Sequence, residues 1–159
     1  MNGSIVLLVI LGIFVLFILI LVSLKVSKPR QEYGVKTVTE RGEVMKSIGE
    51  RRIADYFVKN NINYIYEYDA KGRFLFFDYK ISSPDFYLPD YDVYVEYWGL
   101  VNADDSRTRA QYVRTMKRKM AIYYRNKIKF ISIYPDNLKD LDWIFRRKFR
   151  KVTGFELPS

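Results

Sequence analysis

Apolar positions divide the chain into one long uninterrupted run and a series of short periodic ones. Residues 5 to 24, IVLLVILGIFVLFILILVSL, carry neither a charge nor a proline. At about 1.5 Å per residue such a helix is roughly 30 Å long, the depth of a bilayer's hydrocarbon core. A cleaved signal peptide would have a basic start, a shorter apolar stretch and small residues at a cleavage site. MNGS has no side-chain charge and nothing like A-x-A follows, so a retained transmembrane anchor is expected over 1–26. Lys25, Lys28 and Arg30 follow directly, which by the positive-inside rule sets the C-terminal domain in the cytoplasm. Residues 27–42, with Pro29 and Gly34 as breakers, read as a linker, and 43–159 as one small domain.

Within that domain the period changes repeatedly. From Glu43 to Asn60, Met45, Ile48, Gly49, Ile53, Tyr56 and Phe57 recur at spacings of three and four, predicting a helix with one packed face. INYIYEYD predicts a strand, AKGR a turn, and FLFFDYKI either another strand or an insertion. PDFYLP and DVYVEYW predict two short strands joined at Pro89-Asp90-Tyr91. Asp104, Asp105 and Ser106 are candidate N-caps for a helix through about Arg125, with Val113, Met116, Met120 and Tyr123 as its stripe. KIKFISIYP predicts a strand with Ile128, Phe130 and Ile131 facing inward, and Asn137 to about Lys151 a closing helix. The fold class is therefore α/β, in the order helix, strands, helix, strand, helix.

Composition narrows the chemistry. The 159 residues include no cysteine and no histidine. That excludes zinc fingers, disulfide frameworks, Ser-His-Asp triads and Cys-His dyads. A bound metal would need oxygen ligands, which favours Mg²⁺ or Mn²⁺. The formal charge of +9 belongs entirely to the part after residue 24 and suits a polyanionic partner, nucleic acid or an acidic membrane surface.

Against that background two acids stand out in PDFYLPDYDVYVEYWG. Alternation puts Tyr94, Glu96 and Trp98 on one strand face and Val93, Val95 and Tyr97 on the other. A short turn would bring Asp85 and Glu96 to within about 4.5–5.5 Å across the two strands. Two carboxylates that close repel and raise each other's pKa, and a divalent cation between them relieves the penalty. Pairing with an arginine, or exposure to water, is the bland alternative for either acid.

PDF, a short hairpin, then YVEYWG between helices resembles the PD-(D/E)XK nuclease superfamily over roughly Glu43 to Pro135. The resemblance implies a restriction-endonuclease-like αβββαβ core, here with a C-terminal helix and preceded by one transmembrane helix. It implies Mg²⁺-dependent (or Mn²⁺-dependent) hydrolysis of DNA phosphodiester bonds, no organic cofactor, and pairing of two copies to cut both strands. By the same resemblance Asp85 and Glu96 are metal-binding acids, and Glu50 in SIGERRIADYF matches an acid of the first core helix. Glu50 as a surface acid paired with Lys46, Arg51 or Arg52 is the alternative. The family's E-x-K would put lysine at position 98, where this chain has Trp98; in the similar branch the lysine moves to the next helix. Lys119, four residues before Tyr123 in KRKMAIYY, is the catalytic candidate, with Lys117 as competitor. Arg114, Lys117, Arg118, Arg146, Arg147 and Arg150 are candidates for contacting nucleic-acid phosphates. Without a working lysine the expectation becomes a catalytically inactive module that binds DNA or a protein partner at the membrane.

Overall fold

The computed structural model describes residues 10–16, 36–74 and 77–157. The chain divides into two units, Met1–Glu32 and Tyr33–Ser159. In the first, residues 10–16 are helical (α1) and their side chains are exposed. The rest of the expected span 5–24, and the basic residues Lys25, Lys28 and Arg30, lie outside the described residues. Among the described residues no helix is long and apolar enough to cross a membrane.

The second unit begins earlier than the sequence pattern predicts. Thr37–Val38 (β1) pairs antiparallel with Val44–Met45 (β2), so residues expected in the linker and in the first helix form a small hairpin instead. The helix proper is Ile48–Lys59 (α2). It starts where it does because the Ser47 side chain accepts the Glu50 amide at 3.1 Å, an N-cap that satisfies a donor the first turn leaves open. Ile53 and Phe57 are buried as expected, and so is Ala54, while Ile48, on the first turn, is exposed.

Ile65–Tyr66 (β3) follows, and then Ala70–Phe74 (β4) and Phe77–Ser82 (β5) form a separate two-stranded antiparallel sheet. The turn expected at AKGR is thus a strand, and FLFFDYKI contributes to an insertion rather than to the main sheet. Phe86–Leu88 (β6) and Val93–Tyr97 (β7) are the expected hairpin, closed by a bond from the Tyr91 amide to the Leu88 carbonyl. Asp92 takes a φ of 51°, in the left-handed region that aspartate tolerates better than most residues. Ser106–Arg125 (α3) is capped by Asp105, whose carboxylate accepts the Thr108 amide at 2.6 Å. It crosses over to Phe130–Ile133 (β8), which lies parallel to β7. A 3₁₀ turn over Pro135–Asp140 leads into Leu141–Thr153 (α4).

The main sheet has the order β3-β6-β7-β8, antiparallel except for the last pair. Its two faces differ sharply. One carries Phe86, Leu88, Val93, Val95, Ile131 and Ile133, which pack with Ile53 and Phe57 of α2 and with Phe145 and Phe149 of α4. The Phe57 ring lies 5.5 Å from Phe86 and 5.2 Å from Phe145, both edge-on. Each such buried side chain is worth roughly 1.5–3 kcal/mol of transfer free energy, so this face holds the unit together. In β8 the inward positions are Ile131, as expected, and Ile133, while the expected Ile128 and Phe130 are only half-buried. Phe130 turns to the other face, where its ring meets Tyr123 of α3 at 4.9 Å. Tyr123 is the one fully buried residue of α3; Val113, Met116 and Met120 of its expected stripe are half-buried.

Candidate active site

Strand alternation puts a carboxylate where a core residue would normally sit. Val93 and Val95 face α2 and α4, so Glu96 turns the opposite way, under α3, and is 1% exposed. The β6–β7 pairs are Phe86 with Val95, Tyr87 with Tyr94, and Leu88 with Val93. Continuing that register by one residue sets Asp85 opposite Glu96, the juxtaposition the turn length implies. Asp85 is 2% exposed, and its Oδ2 accepts the Tyr97 backbone amide at 2.7 Å. Its carbonyl accepts the Glu67 amide, so the chain just beyond β3 holds its backbone as well.

The third acid comes from α2. Glu50 is buried, and its Oε2 accepts the Tyr66 hydroxyl at 2.6 Å and the Lys46 amide at 3.1 Å. It is also the acid of the first turn, where the helix dipole favours negative charge. Its position depends on Gly49. A Cβ there would stand 2.2 Å from the Tyr97 ring, so the missing side chain lets β7 come up against the first turn of α2.

Electrostatics tie the acids together. Burial raises the Glu50 carboxyl above its ordinary value, and the charge of Asp85 raises it further. Glu96 is pushed up to about 7, first by burial and then by Asp85; Lys119 and Tyr123 pull the other way without cancelling this. Asp85 therefore acts on both glutamates.

Lys119 reaches down from α3 to meet them. Its Nζ lies 2.5 Å from Glu96 Oε1 and 2.8 Å from the Ser83 carbonyl oxygen. The ammonium also stands 5.8 Å from the centre of the Trp98 ring and 5.9 Å from that of Tyr123. The Tyr123 hydroxyl hydrogen-bonds Glu96 Oε1 and lies 3.0 Å from Ser82 Oγ. Lys117, the competing lysine, is exposed and lines a surface groove with Arg109 and Arg114. Two buried polar atoms flank Glu96 without a hydrogen-bond partner among the described residues: Trp98 Nε1 and Ser132 Oγ, Ser132 being the β8 register partner of Glu96. Leaving such groups unsatisfied costs about 1–3 kcal/mol each.

The donors are of the type a hard divalent cation takes, carboxylate oxygens that repel one another in a buried setting. Among the described residues, however, no three acids stand close enough to form a complete metal-binding group. Each acid also has hydrogen-bond partners within the protein. Glu96 Oε1 is engaged by Lys119 and Tyr123, Asp85 Oδ2 by Tyr97, and Glu50 Oε2 by Tyr66 and Lys46. Asp85 and Glu96 stand opposite each other in the extended β6–β7 register, and the charge of Asp85 also raises Glu50.

The remaining basic candidates fall into two groups. Arg114, Lys117 and Arg118 are exposed on α3, the helix that carries Lys119. Arg146, Arg147 and Arg150 lie on α4, against the opposite face of the sheet. Arg146 is bound to Asp142 at 2.8 Å and to Asn60 at 3.2 Å, and Arg150 to Glu156 at 2.9 Å. Arg147 stacks over Trp143 at 4.3 Å. The structure thus does not gather the six into one patch. Residues the sequence reading left out of the site are Tyr123, Tyr66 and Gly49. Four-residue spacing from Lys119 pointed to Tyr123, but nothing local marks Tyr66 as the partner of Glu50.

Comparison with known protein families, with curated proteins and with solved structures finds no match.

Proposed function

We propose that residues 43–159 form a nuclease domain of restriction-endonuclease-like architecture that hydrolyses DNA phosphodiester bonds with Mg²⁺ or Mn²⁺, tethered to a membrane by residues 5–24. The observation that carries this reading is the meeting of Glu96 on β7 with Lys119 on α3, beside Asp85 on the neighbouring strand. Support also comes from the order of elements. With the β4–β5 insertion set aside, a helix, three antiparallel strands, a crossover helix and a parallel strand follow one another, as the αβββαβ core requires. The uncharged run alone supports the anchor.

A divalent ion held by Asp85 and Glu96, with Glu50 behind, would polarise the scissile phosphate and lower the pKa of a bound water. The chain's own groups do the rest. The Tyr97 amide fixes the Asp85 carboxylate in orientation. Lys119, steered by the Ser83 carbonyl, presents an ammonium that can stabilise negative charge developing on a phosphoryl oxygen. The exposed Arg114, Lys117 and Arg118 offer cations to the flanking backbone.

A second reading has its own observation. Trp98 stands where the family's lysine would be, and the acids are already engaged by protein groups, which suits a catalytically inactive domain that binds DNA or a protein at the membrane. Calorimetry with Mn²⁺ separates the two. The nuclease reading predicts one saturable site lost in Asp85→Asn; the inactive-module reading predicts no metal binding.

A further inference from the structure

A row of three tyrosines crosses the sheet on the side that Glu96 faces. The rings of Tyr68 and Tyr87 stack at 4.9 Å with 18° between their planes, and Tyr87 meets Tyr94 at 4.7 Å and 32°. Tyr87 and Tyr94 are register partners on β6 and β7, and Tyr94 is two residues before Glu96 on the same strand face. The row is not sealed: Tyr68 is 40% exposed, and Tyr87 and Tyr94 are half-buried.

Tyr94 also walls a cavity of about 250 Å³ that Lys71, Asp92, Asn126, Lys127 and Lys129 help to line. Its lining thus includes three lysines and one aspartate, and Asp92 already accepts the Tyr87 hydroxyl at 3.1 Å. The cavity's volume is below the roughly 300–1,000 Å³ of pockets that enclose a drug-sized ligand, so it has room for one small polar group. Two residues of its wall, Asp92 and Lys127, hold left-handed backbone with φ of 51° and 54°.

Flat aromatic faces, partly open, beside a concentration of lysines suit a ligand with its own flat faces and regularly spaced negative charges. We propose that the Tyr68–Tyr87–Tyr94 row and the lysine-lined cavity form a platform for single-stranded nucleic acid, a base stacking on the outer face of Tyr68, which Tyr87 and Tyr94 back from behind, and a phosphate entering among Lys71, Lys127 and Lys129. Stacking tolerates any base, so the platform selects strandedness rather than sequence. A duplex, its bases already stacked on one another, cannot use it. In the context of the nuclease reading, on which this part rests, the platform would hold the stretch of single strand adjoining the phosphate cut at Glu96 and direct the domain to frayed, flapped or single-stranded substrates.

The test is fluorescence anisotropy with the full chain in detergent micelles and EDTA, so that binding is read apart from cutting. The probes are a labelled oligo(dT) of about ten nucleotides, within the range one such binding surface covers, and a blunt duplex of the same length. Wild type is expected to prefer the single strand. Tyr68→Ala is expected to weaken single-strand binding about ten-fold with little effect on the duplex. The double variant Lys127→Ala/Lys129→Ala changes only exposed side chains, and should lower the slope of log affinity against log salt by roughly 1.4. Equal binding of both probes, or wild-type binding by both variants, overturns the platform. So does a lysine effect seen only with anionic lipid vesicles. Plasmid cleavage in Mg²⁺ by variants that bind single strands normally would remove the platform and leave the nuclease. Loss of binding in variants of a protein that cuts nothing would do the reverse.

Discussion

Lys119 Nζ lies 2.5 Å from Glu96 Oε1, joining the middle of α3 to a strand position that is 1% exposed. Twenty-three positions apart in sequence, the two side chains bridge the face of the sheet where apolar packing is thinnest. This contact links stability and chemistry, because the lysine that would act on a phosphate also neutralises the buried acid.

Replacing that lysine should therefore be costly in a pH-dependent way. Lys119→Met leaves a buried carboxylate without its cation, and breaking such a pair typically costs about 3–5 kcal/mol. At pH 5, where Glu96 is largely protonated, most of that cost vanishes. Urea unfolding in EDTA should show a large loss of stability at pH 8 and a small one at pH 5. Equal losses at both would mean that Glu96 is not the group Lys119 serves.

The wild-type chain should show a related slope. Glu96 has a folded pKa of about 7 against an ordinary 4.5, so the native state holds a proton that the unfolded chain gives up. Its contribution is full below about pH 4.5 and is lost as pH rises through 7. Glu50, also raised, acts in the same direction. Metal-free protein should accordingly melt at lower temperature at pH 8 than at pH 5, and Glu96→Gln should reduce that difference. An unchanged slope in the variant would assign the effect elsewhere.

Gly49 offers a test of how the site is positioned. A methyl group there would meet the Tyr97 ring at 2.2 Å, and Tyr97 is the residue whose amide orients Asp85. Gly49→Ala should destabilise the domain by about 1–3 kcal/mol, as overpacking does. Adding Tyr97→Leu, which clears the space and keeps the backbone amide, should recover part of the loss. If the double variant is no better than Gly49→Ala, helix propensity or another contact governs position 49.

Much of the fold could be read in the sequence because the informative side chains were local and periodic. The PDFYLP–DVYVEYW hairpin was legible from alternation and turn chemistry, and its register follows from the turn length. The long α3 and its acidic cap were legible for the same reason. The start of the first helix was not. Met45 fits a helical stripe in spacing, but Val44–Met45 pairs with Thr37–Val38, a partner no local pattern reveals. In FLFFDYKI, alternation could not say which sheet the segment would join, and in β8 an apolar run on both faces hid the phase. Within the site, Lys119 was expected through the family resemblance, which places a lysine on this helix, rather than through any local pattern. The separation of the α3 and α4 basic residues onto opposite faces was not, because charge counts carry no information about layers.

The central claim is that Asp85 and Glu96, with Lys119, form a metal-dependent phosphodiesterase, and the most direct measurement is cleavage of supercoiled plasmid by the full chain in Mg²⁺. Wild type should nick and linearise the plasmid, EDTA should stop it, and Asp85→Asn and Glu96→Gln should each lower the rate by about 100-fold or more while remaining folded by circular dichroism. A folded wild type that leaves the plasmid intact in both Mg²⁺ and Mn²⁺, or variants that cut as fast as wild type, would contradict it.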